Sequence, residues 1–77
     1  MPKIPPVSPI RIIKILEKSG FKVIRQKGSH VIMMNDKGTR TVIPVHHGKE
    51  VKPGLIRAII KEAGISREKF FKLLKEI

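Results

Sequence analysis

Phe21-Lys22-Val23-Ile24-Arg25-Gln26-Lys27-Gly28-Ser29-His30-Val31-Ile32-Met33-Met34 decides the fold. Two apolar, largely β-branched runs flank a connection, Lys27-Gly28-Ser29, short enough to make them an antiparallel hairpin. The first run, Phe21 to Gln26, sets Phe21 and Val23 against Lys22 and Arg25 in imperfect alternation, whereas His30 to Met34 is continuously apolar after its histidine. Asn35-Asp36-Lys37-Gly38-Thr39 reads as a second turn, leading into Thr41-Val42-Ile43-Pro44-Val45 as a third strand. Pro44 cannot donate to a ladder, which favours an edge strand or the end of one.

Helical signals lie on either side of this meander. Ser8-Pro9 pairs a capping hydroxyl with a proline at the first helical position, where its missing N–H costs nothing. Ile12, Ile13, Ile15 and Leu16 follow, opposite Arg11, Lys14 and Lys18, so an amphipathic helix is predicted to end near Ser19-Gly20. After the His46-His47-Gly48-Lys49-Glu50 loop, Pro53 opens a second helix whose buried stripe is Leu55, Ile56, Ile59, Ile60 and Ala63, closed by Gly64. Ser66 caps a third, with Glu68 in its first turn and Phe70, Leu73, Leu74 and Ile77 as its apolar face. The order α-β-β-β-α-α is an α+β fold: a three-stranded antiparallel sheet with helices covering one face and the other face open to solvent or a ligand. A single domain spans residues 1–77, with 1–7 as an extended N-terminal segment.

Composition narrows the function. Seventeen Lys and Arg against six Asp and Glu give the 77-residue chain a net charge of +11, which points to a polyanionic partner, nucleic acid before an acidic protein or a membrane surface. A merely soluble basic surface is the competing reading. The absence of cysteine excludes disulfides and thiolate zinc sites and suits a reducing compartment. Met1-Pro2-Lys3-Ile4-Pro5-Pro6 carries no long apolar stretch, so neither a signal peptide nor a membrane span is predicted there, and a cytoplasmic location is expected.

The chemistry concentrates at Gly28-Ser29-His30. Imidazole is the only side chain whose ordinary pKa lies near neutrality, so His30 can accept a proton from a ribose 2′-hydroxyl, and RNA then supplies its own nucleophile without a metal. Arg25 and Lys27 are placed to hold the phosphate and to disfavour a second positive charge on the ring, while Ser29 can bond phosphate or orient the imidazole. The plain alternative is a strand-edge histidine packed beside Ile32 and Met34, which alternate onto its face. Gly28 reads either as an amide cradle for an anion or, more simply, as turn chemistry. Lys49 and Lys52, like Arg11, Lys14 and Lys18, could track an RNA backbone or just face solvent. His46 and His47 do not read as metal ligands, because adjacent residues of an extended segment point to opposite sides and only Glu50 lies near as a carboxylate. His46 is then structural or a secondary phosphate contact. With no Trp or Tyr, and Phe21, Phe70 and Phe71 at core positions, stacking platforms are scarce, so backbone and shape recognition is expected over base reading.

Pro5-x-Val7-Ser8, Leu16-Glu17-Lys18 before Gly20-Phe21, Gly28-Ser29-His30, Ile43-Pro44-Val45-His46 with Gly48-Lys49-Glu50, and Leu55 to Gly64 together resemble the HicA family of toxins, over about Ile4 to the C-terminus. The resemblance implies a double-stranded-RNA-binding-domain-like fold, metal-independent mRNA cleavage with no cofactor, and a HicB-type antitoxin as partner. His30 then matches the family's catalytic histidine. Pro9-Ile10 departs from the small-then-basic pair common in the family. The reading is of a toxin that cleaves mRNA or other single-stranded RNA, monomeric when free and hetero-oligomeric with its antitoxin. A non-catalytic RNA-binding module of the same fold, and a basic domain that binds an acidic protein, are the alternatives.

Overall fold

Lys27 and His30 face one another across a hairpin whose loop is Gly28 and Ser29 alone in the computed structural model, which describes residues 3–77. Gly28 has φ of 60° and, among the described residues, none other than glycine has positive φ, the type II′ pattern whose twist matches that of the strands it joins. The strands are β1 (Lys22–Lys27), β2 (His30–Met34) and β3 (Arg40–Pro44), and the helices are α1 (Pro9–Lys18), α2 (Pro53–Ala63) and α3 (Arg67–Glu76). The sheet is an antiparallel meander in the order β1-β2-β3. The predicted α+β, double-stranded-RNA-binding-domain-like order is therefore the order observed.

Each predicted boundary has a physical device behind it. The Ser8 hydroxyl accepts from the Arg11 amide at 3.4 Å, the Ser66 hydroxyl from the Lys69 amide at 3.1 Å, and Pro9 and Pro53 open their helices. In the β2–β3 turn the Asn35 side-chain oxygen accepts from the amides of Lys37 (3.0 Å) and Thr39 (2.9 Å), reinforcing the backbone bonds from the Asn35 amide to the Thr39 carbonyl and from the Gly38 amide to the Asn35 carbonyl, both 3.1 Å. Pro44 ends β3 on an outer edge of the sheet. Because the Val45 amide donates to the Ser29 carbonyl, the neighbouring His30/Pro44 pair is a non-hydrogen-bonded one, and the N–H that proline lacks would have faced the free edge.

The core lies between the inner face of the sheet and the three helices. Leu16, Met33, Ile43, Ile56 and Phe70 are fully buried there. Ile4 and Val7 join them, and Val7 pairs with Val51 through bonds of 3.2 and 2.7 Å, so the extended N-terminal segment is stitched to the chain entering α2. Of the predicted segment 1–7, Met1 and Pro2 lie outside the described residues. The Arg11 guanidinium donates to the Leu74 carbonyl at 3.0 Å, tying α1 to the C-terminal end of α3 and giving this cation a structural partner.

Two expectations need correction. Leu55 is 43% exposed, because the stripe that α2 buries is Ile56, Ile59, Ile60 and Ala63, at i, i+3, i+4 and i+7, and Leu55 falls on its flank. Phe71 is only half-buried, packed against the core and meeting Phe70 edge-on with ring centroids 5.9 Å apart, whereas Phe21 and Phe70 are buried in it.

Thr41 sits opposite Met33 on the inner face, 1% exposed, and its hydroxyl has no hydrogen-bond partner among the described residues. Valine has the same shape without the polar atom. Thr41→Val is therefore expected to raise stability by up to about 1–2 kcal/mol, read from the urea midpoint; a lower midpoint would show that the hydroxyl is satisfied in solution.

Candidate functional site: the open face of the sheet

Cross-strand partners share a face, so the register alone assembles the outer surface row by row. Lys27, His30 and Pro44 form the first row, Arg25, Ile32 and Val42 the second, and Lys22, Met34 and Arg40 the third. The inner rows are Gln26, Val31 and Ile43, then Val23, Met33 and Thr41. Burial agrees with this division along β2, where Val31 and Met33 are buried, Ile32 and Met34 half-buried, and His30 exposed.

A bulge at Ile24 completes the basic side of this face. The register shifts between Val23 and Arg25, so two residues of β1 share one place opposite β2. Lys22 and Arg25, three apart in sequence, thereby stand on the same face, and the imperfect alternation seen in the sequence is explained. β1 is exposed along its whole length, Val23 and Ile24 included, although the register sets Val23 in an inner row opposite Met33.

The imidazole of His30 thus stands in the open at the start of β2, with Lys27 directly across and Arg25 in the next row. In a non-hydrogen-bonded pair the two Cα atoms are about 4.5 Å apart, which brings Pro44 close on the other side. Ser29 is half-exposed beside it. Gly28 serves the turn: its carbonyl accepts from the Gln26 side-chain amide at 3.4 Å, and its φ of 60° is the conformation that an L side chain rarely adopts. Lys49 is exposed in the loop that leaves β3, beyond the end of the sheet where His30 stands. Lys52 is set apart from these rows, exposed at the N-cap of α2 past the Val7–Val51 bridge.

Sequence reasoning did not single out Lys22, Arg40 or Val42 as members of this surface. Counting alternation outward from His30 through the second turn would have found Arg40 and Val42, but Lys22 depends on the bulge. The resulting face has an apolar centre, Ile32, Met34 and the 42%-exposed Val42, ringed by four cations and one imidazole. It suits a polyanion whose phosphates meet the rim while its sugars or bases lie over the centre. Among the described residues no three His, Cys, Asp or Glu side chains gather as a metal-binding set, and no helix is long and apolar enough to cross a membrane.

The sequence of residues 11–65 matches the family model described as the HicA toxin of bacterial toxin-antitoxin. That span runs from α1 through the whole sheet to the end of α2 and contains His30. No curated protein matches the chain.

Proposed function

The chain belongs to the HicA toxin family of bacterial toxin–antitoxin systems, and from that premise we propose that it is an endoribonuclease that cleaves mRNA without a metal, with His30 removing the proton from the attacking 2′-hydroxyl. The observation that carries the proposal is His30 itself, exposed at the end of a sheet face with Lys27 opposite and Arg25 in the next row. A catalytic base must be reachable by substrate, which the exposure of His30 supports, and Lys27 and Arg25 on the same face supply counter-charge for the phosphate. The phosphate is held by the cations while 2′-oxygen attacks phosphorus in line, forming a 2′,3′-cyclic phosphate and releasing a 5′-hydroxyl.

Family membership implies an antitoxin partner. In the proposal this is a HicB-type protein that covers the face around His30, turning a free cytoplasmic monomer into an inactive hetero-oligomer. The exposed apolar centre with its cationic rim favours such a cover, since an acidic partner could bury the first while neutralising the second.

RNA binding to this face is checked by salt titration. Arg25→Ala and Lys27→Ala should each weaken RNA binding about equally for all sequences and lower the slope of log K against log salt by about one. Slopes identical to wild type would move the RNA to another surface.

A further inference from the structure

His46 takes up a position relative to His30 that the proton balance of the reaction calls for. In-line displacement puts the attacking 2′-oxygen and the departing 5′-oxygen on opposite sides of phosphorus, so one ring cannot take a proton from the first and deliver one to the second in a single step. The departing alkoxide needs its own donor. An ammonium, whose ordinary pKa lies far above neutrality, gives up a proton less readily than an imidazolium does.

The loop after β3 carries that donor to the same end of the sheet. Pro44 pairs with His30, and the Val45 amide bonds the Ser29 carbonyl at 2.6 Å, so the ladder continues one residue beyond β3. His46 comes next, exposed, and alternation of the extended chain returns it to the side on which Pro44 and His30 stand. Diagonal neighbours across an antiparallel pair lie about 7–8 Å apart, a separation that two imidazoles can span with a phosphate between them. His46 then opens a turn closed by the Lys49 amide on the His46 carbonyl at 3.1 Å. Gly48 has φ of 75° and His47 is not positive, the type II pattern, so the loop is a defined turn. His47 follows it as the first central residue of that turn.

Beside His46, the turn and the start of α1 enclose a shallow hollow of about 280 Å³, walled by Pro9, Ile10 and Val45, with His46, His47 and Glu50 also on its lining. Ile10 is 61% exposed at its rim, with no role in the core. An apolar recess touching the proposed donor is suited to the nucleoside that departs.

We propose that His46 is the general acid of the cleavage, donating its proton to the leaving 5′-oxygen while the departing nucleoside rests in the hollow between α1 and the 46–49 turn. The inference rests on the nuclease reading of His30. In balance, the 2′-O–H proton passes to His30, the 2′-oxygen–phosphorus bond forms, the phosphorus–5′-oxygen bond breaks, and that oxygen takes the proton of His46. Exchange with water then restores a neutral His30 and a protonated His46.

The test uses the full chain in EDTA on two RNA oligonucleotides, one ordinary and one with sulfur replacing the bridging 5′-oxygen at the cut. A thiolate leaves without a proton. His46→Ala and His46→Asn, checked by thermal melting for wild-type folding, should slow the oxygen linkage by about 10²–10⁴-fold and the sulfur linkage by less than about tenfold. His30→Ala should slow both. Equal losses on the two linkages, or no loss on either, with His30→Ala still inactive, would overturn the role of His46 and leave the nuclease reading standing. Wild-type protein that cuts neither linkage would remove both.

Discussion

Replacing His30 by alanine is expected to lower RNA cleavage by about 10²–10⁴-fold, the contribution typical of a positioned acid–base group, while leaving the fold and RNA affinity close to wild type. The separation of effects follows from where the ring stands. It is exposed on the outer face, so its removal opens no cavity, and surface replacements of that kind shift stability by no more than about 0.5 kcal/mol. Lys22, Arg25, Lys27 and Arg40 remain to attract phosphate. Single-turnover cleavage and fluorescence-detected binding on the same oligonucleotide measure the two quantities side by side. A variant that cuts as fast as wild type would reduce His30 to a strand-edge residue and leave a non-catalytic RNA-binding domain.

Phe70→Ala is expected to do the reverse. Its ring is fully buried in α3, in the same core as Leu16, Met33 and Ile56, and truncation of such a residue removes about 3–5 kcal/mol. A chain of this length has a total stability of the same order, so a large fraction should be unfolded at 37 °C and activity should fall with the folded population. Urea unfolding followed by circular dichroism reads the effect. A loss below about 1 kcal/mol would mean that α3 is not the lid of the core that the packing makes it.

What was legible in the sequence follows from which interactions decide each feature. The hairpin was readable because the short glycine-bearing connection Lys27-Gly28-Ser29 between two β-branched runs favours an antiparallel pair, and the helices because Ser8, Ser66, Pro9, Pro53 and Gly64 mark their ends chemically. The face on which His30 stands was readable from period two alone, since Ile32 and Met34 accompany it. Other features are set by partners distant in sequence. Nothing local announces that β1 absorbs an extra residue at Ile24, since a bulge is chosen when strands pair; its consequence, Lys22 on the outer face, was hidden with it. Arg11 looked like any other cation on a helix, yet it holds the Leu74 carbonyl 63 residues away. Leu55 fitted the stripe of α2 by spacing and was lost by a flank too wide for the surface beneath it. That the chain leaving Pro44 carries His46 to the end of the sheet where His30 stands required the register of β2 against β3, which the sequence only brackets.

The central claim is that this cationic sheet end makes RNA cut itself through its own 2′-hydroxyl. Its most direct test is the chemistry of the ends left when wild-type protein, in EDTA, cuts an RNA carrying one 2′-deoxy sugar at the preferred site beside an unmodified control. The account predicts 2′,3′-cyclic phosphate and 5′-hydroxyl ends from the control and complete protection of the deoxy-substituted bond. Cleavage of that bond, or 5′-phosphate ends from the control, would contradict it.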